Sequence, residues 1–139
     1  MILPLEKQTV CLELAKKMRE LGFEQKSLWY WEERFSVTDY STKSYELIKE
    51  NKITPSRDIS YSAYTVAELL GRLSIVKYDS MGFPCLQVIF VQFMNEWHVH
   101  YRNPPLEWSK NGSQDAGHDK KLADSCAKML IYLKENNLI

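Results

Sequence analysis

Apolar residues in "TVCLELAKKMRELGF" recur at spacings of three and four, at Cys11, Leu14, Ala15, Met18 and Leu21, which is the period of one face of a helix. Gly22 follows, the residue type that accepts the left-handed backbone closing a helix. The pattern then changes. "SLWYWEERF" is short, aromatic-rich and bounded by polar residues, and "KSYELIKEN" follows the turn-like "SVTDYST", so the two predict a hairpin. "ITPSRDISYSAY", with its proline and small polar residues, reads as a connection with a short extended piece at "ISYSAY". In "TVAELLGRL" Thr65 stands three residues before Glu68, the spacing that lets each side chain accept from the other's backbone N–H at a helix start. Beyond the turn-like "DSMGFP", "CLQVIFVQFM" and "WHVHYRN" flank Asn95 and Glu96 as the strands of a second hairpin. A last helix carries Leu122, Cys126, Met129, Leu130 and Leu133 on one stripe, with "KKLAD" and "KENN" as solvated faces and Lys120 and Asp124 spaced as an ion pair.

The predicted order is α-β-β-α-β-β-α, an α+β fold with an antiparallel sheet built from two hairpins and covered by helices, in a single domain spanning residues 1–139. A strand-strand-helix unit used twice fits this order. The residues give duplication little support, since "AELLGRL" and "AKMLIYL" share little beyond the spacing of any amphipathic helix. With Asn95 and Glu96 as a two-residue turn, His98 faces Phe93 and His100 faces Val91, while Trp97, Val99, Tyr101, Phe90 and Val88 share the other, core-facing side. The histidine face also holds Ile89, Val91 and Phe93. It therefore calls for a cover of its own, such as a partner.

Composition narrows the function classes. Lysine plus arginine and aspartate plus glutamate number 18 each, so no net charge draws the protein to nucleic acid or anionic lipid. The cysteines Cys11, Cys85 and Cys126 are odd in number, far apart and set among apolar residues, as reduced thiols packed like small hydrophobes are. No run nears a membrane span, and "MILPLEKQ" lacks the basic start and apolar core of a signal peptide, so a cytoplasmic protein is expected.

Candidate sites are few. His98 and His100 lie two apart on a strand and so on one face, but two ligands do not make a metal site, and a third would have to come from His118, Glu107 or Asp119 folding back. Leu28, Trp29, Tyr30 and Trp31 place large side chains on both faces of a strand, either packed or free as an aromatic platform beside Glu32 and Glu33. Loop 103–118, "NPPLEWSKNGSQDAGH", is long for a compact domain; Leu106 and Trp108 could anchor it or enter a partner, and "KNGSQDAG" reads as mobile. Nucleophile-elbow, phosphate-cradle and paired-cysteine motifs are absent from the sequence.

The stretches "LELAKKMRELGFEQKSLWYW", "YSAYTVAELLGRL" and "AKMLIYLKENNLI" together resemble a family of small phage and prophage proteins of Bacteroidetes and Firmicutes, over about half of the chain. The resemblance carries no functional residues across, because the shared motifs serve packing and capping. It implies an accessory role, with interference with a host factor as an extension. The expectation is a cytoplasmic protein that acts by binding a protein partner or itself, without catalysis, cofactor or metal. Trp29, Tyr30, Trp31, Leu106 and Trp108 are its candidate contacts. Two other classes stay open: a small-ligand binder with a pocket between sheet and helices, and a metal or acid–base hydrolase using His98 and His100, with His118 as a further candidate.

Overall fold

The computed structural model describes residues 4–35, 43–50, 60–74, 85–102 and 116–139. Along them run α1 (Leu5–Gln8), α2 (Leu12–Glu20), β1 (Trp29–Phe35), β2 (Lys43–Lys49), β3 (Ser60–Ser62), α3 (Val66–Ser74), β4 (Cys85–Val91), β5 (Glu96–Arg102), β6 (His118–Asp119) and α4 (Leu122–Glu135). The fold is α+β, and the predicted helices and hairpins are present in the expected order. Instead of one sheet, the hairpins seed two antiparallel sheets of three strands, ordered β2-β1-β3 and β4-β5-β6.

Local chemistry explains the element ends. Gly22 has φ +86°, and the Gly22 and Phe23 N–H groups donate back to the Arg19 and Met18 carbonyls, closing α2 as a left-handed terminus does. At α3 the reciprocal cap forms: Thr65 N–H donates to Glu68 Oε2 at 2.7 Å, and Glu68 N–H to Thr65 Oγ1 at 3.3 Å. The same carboxylate accepts from Ser27 Oγ and Leu28 N–H, tying the entry to β1 onto α3. Helix α4 ends on Asn137, whose φ of 55° suits asparagine, while Leu138 N–H donates to the Leu133 carbonyl.

The core gathers Val10, Met18, Tyr64, Leu69, Leu73, Val99, Met129, Leu130 and Leu133. Helix α4 lies at its centre, packed against α2, α3, β5 and β6. Its predicted single stripe is too narrow: Asp124, Ser125, Ile131 and Tyr132 are buried too, because neighbours cover several sides of the helix. Asp124 is not on a solvated face. Its Oδ1 accepts from Cys11 N–H at 2.8 Å, and its ion pair is with Lys121 at 3.5 Å, not Lys120. Burial pushes the Asp124 carboxyl up, partly offset by that N–H and by Lys121. Among the described residues no helix is long and apolar enough to cross a membrane.

Candidate functional site

The β4–β5 hairpin turns over Gln92, Phe93, Met94 and Asn95, with Asn95 at φ 53°. This loop is longer than the two-residue turn expected, so His98 pairs with Ile89 and His100 with Gln87. The shift from the expected register is four residues. An even shift keeps the same residues together on each face, but Val88 and Phe90, expected to face the core with Val99, are exposed, since α4 packs against β5 and leaves β4 outside it. Val99 and Tyr101 are buried on the core side. Gln87, which the longer turn brings opposite His100, meets its Nε2 at 2.9 Å.

On the histidine side, β6 supplies the neighbour that the hairpin alone lacks. Val99 N–H donates to the Gly117 carbonyl at 2.8 Å, so His98 and His118 form the adjacent non-hydrogen-bonded pair, in which side chains approach most closely. Their rings stack with centroids 3.6 Å apart and planes at 16°. Glu96 shares the face, with Oε2 3.7 Å from His98 Nε2. One donor atom each from Glu96, His98 and His118 lies within 4.8 Å of the others. His98 Nε2 is buried and has no hydrogen-bond partner. Burial, followed by the proximity of His98 and His118, holds the His100 imidazole below its ordinary value.

Gly117 makes this approach possible. A Cβ there would overlap the Val99 carbonyl oxygen and stand 3.3 Å from the Ser125 carbonyl oxygen. The end of loop 103–118 is therefore a buried glycine and a short strand, not part of a mobile run; residues 103–115, with Leu106, Glu107 and Trp108, lie outside the described residues. Asp119 points to the other face and pairs with Lys128 Nζ at 2.6 Å. Of the three possible extra ligands weighed from sequence, His118 comes to the histidines. Glu96, expected in the turn, is the first residue of β5, and its two-residue spacing from His98 puts it on the same strand face.

The other side of the hairpin's character is apolar exposure. Val88, Ile89, Phe90, Phe93 and Met94 are all exposed, and Phe93 at the turn is 89% exposed. Phe90 reaches across to Trp97, ring centroids 5.1 Å apart. Among the described residues β4 pairs on one side only, leaving its far edge open. Its sequence, "CLQVIFV", holds no charge.

The aromatic run at 28–31 is tied inward. Tyr30 is buried and its hydroxyl donates to the Gln25 carbonyl, while the Trp31 indole N–H donates to the Val10 carbonyl at 2.9 Å. Trp29 is half-buried, and Leu28 is exposed. Glu32 and Glu33, expected beside an open platform, are both buried. Cys126 is buried and its thiol is pushed up to about 12 by burial, so it stays protonated and inert; Cys11 is half-buried and also raised, and the Cys85 side chain lies outside the described residues.

A cavity of about 1120 Å³ opens between α1, α3, the start of α4 and β5. Val66, Leu70, Trp97 and Leu122 give it apolar walls, and Lys7 and Lys120 stand at its rim. The fold is α+β, and among the described residues a strand paired on one side only lies beside a histidine–carboxylate cluster. No protein-family model, curated protein or solved structure matches the chain.

Proposed function

We propose that this protein is a protein-binding module that works through the β4–β5 hairpin, with a second copy of the chain as its partner. The observation that carries the reading is the run of exposed apolar side chains along β4 and its turn, with Val88 and Phe90 on one face, Ile89 on the other, and Phe93 and Met94 at the turn. Apolar exposure concentrated on one strand and its turn marks contact surfaces. An open strand edge adds unpaired N–H and C=O groups, which a further strand can satisfy. Two copies of one strand pair antiparallel about a two-fold axis without needing a second kind of surface. Because "CLQVIFV" is uncharged, no like charges meet when it faces itself.

The test is molar mass by light scattering across a range of concentrations, for the wild type and for Phe93→Asp combined with Ile89→Lys. The wild type should approach twice the chain mass, and the double variant should stay at one chain mass with an unchanged far-ultraviolet spectrum. A wild type of one chain mass throughout would end this reading.

A second reading, a small-ligand binder, is favoured by the cavity. Apolar walls with Lys7 and Lys120 at the rim suit an amphipathic anion, whose tail gains from burial and whose head meets the ammonium groups. A fluorescent fatty-acid probe should bind saturably, and Leu70→Glu should abolish the signal. Equal signal from both proteins would dismiss the cavity.

A further inference from the structure

We infer that Glu96, His98 and His118 bind one divalent transition-metal ion of the zinc class, leaving a coordination position open to solvent. Two imidazole nitrogens and one carboxylate oxygen form the donor set typical of zinc sites that keep such a position. The donor atoms converge on a small volume, all within 4.8 Å of one another. Ligands held at zinc distances in a tetrahedral site sit roughly 3.3 Å apart. The His98–Glu96 contact of 3.7 Å is already close to that, and turning the stacked His98 and His118 rings out of their parallel planes would aim their nitrogens at one ion.

The backbone makes the arrangement more than a chance meeting of surface groups. His98 and His118 are directly opposed in a non-hydrogen-bonded pair, and Glu96 is two residues from His98 on the same face. Gly117 brings β6 against β5, and Lys128 holds it there by donating to the His118 carbonyl and the Asp119 carboxylate. Burying an imidazole nitrogen without a hydrogen bond is costly, and His98 Nε2 is buried that way, 3.7 Å from Glu96 Oε2. A metal ion would satisfy that nitrogen. His100 lies outside the converging group, its Nε2 meeting Gln87 Oε1 instead.

The three ligands are not among the residues of the proposed self-association, although Ile89 pairs with His98, so the experiment is run on wild type and on the Phe93→Asp variant alike, whose substitution lies at the turn. Tag-free protein stripped with a chelator is titrated with Co2+, whose visible absorption reports a low-symmetry four-coordinate site, and Zn2+ is then added to displace it. One Co2+ per chain is expected. His118→Asn and Glu96→Gln should each weaken binding by more than the roughly 10–100-fold that loss of an outer-shell partner costs. His100→Asn should bind as wild type does. Far-ultraviolet spectra of the metal-free variants establish that each is folded. Absence of saturable Co2+ or Zn2+ binding, affinity unchanged in both ligand variants, or an equal loss in His100→Asn would overturn the assignment.

Discussion

The two sheets begin from the same sequence pattern, a hairpin followed by a short strand and a helix, yet they finish differently. In the first, the third strand returns beside β1, which becomes the central strand between β2 and β3. In the second, β6 returns beside β5, and β4 is left at the edge. Their edges also differ in chemistry. "KSYELIK" on β2 carries lysines and a glutamate, the charges that discourage a further strand, and Lys16 Nζ lies over the Tyr45 ring, 4.7 Å from its centroid. "CLQVIFV" on β4 has no such guard. Matching element order therefore does not imply matching pairing.

That contrast can be broken or sharpened by substitution. The largest effect is expected at Gly117→Ala, which forces β6 away from Val99; a loss of about 3 kcal/mol in urea unfolding, with weaker metal binding, would show that the second sheet depends on this approach. Glu68→Ala removes the α3 cap and leaves the Leu28 N–H and Ser27 hydroxyl without their acceptor, at about 2 kcal/mol, loosening the first sheet and leaving self-association intact. Trp31→Phe, which deletes the indole bond to Val10, should cost about 1 kcal/mol in thermal unfolding.

Smaller still is a pH effect at β6. Burial pushes the Asp119 carboxyl up, but hydrogen bonds from Lys128 and the Lys121 N–H outweigh it and hold the group below its ordinary 3.8. A carboxyl lowered on folding adds stability above its unfolded value, and that stability is lost as pH falls through the folded one. Asp119→Asn should therefore flatten the acid side of the stability profile, by a fraction of a kcal/mol because Lys128 is partly solvated. At the low end, Phe93→Asp should change stability by less than about 0.5 kcal/mol, since its ring is almost wholly in solvent.

Periodicity and capping made much of the fold legible. Ala15 and Met18 face inward as the three-and-four spacing requires, and Thr65 and Glu68 form the reciprocal cap that their spacing announces. The facing of the second hairpin was also readable, because alternation alone sets which residues share a side. Its turn was not: a loop of four residues or of two leaves the same alternation. Long-range pairing was invisible as well. Nothing local brings His118 across to His98 or shows that "GH" in a polar run is a strand. The burial of Glu32, Glu33 and Asp124 lay equally beyond a reading in which charge stands for exposure, since covering from both sides is a property of the assembled chain.

Amide hydrogen exchange along β4, followed as protein concentration rises, tests the proposed edge pairing most directly. Alternate N–H groups of Cys85–Val91 point away from β5, and each should become protected with concentration in the wild type but not in Phe93→Asp. Fast exchange of those outward amides at every concentration, or protection that Phe93→Asp leaves untouched, would contradict the account.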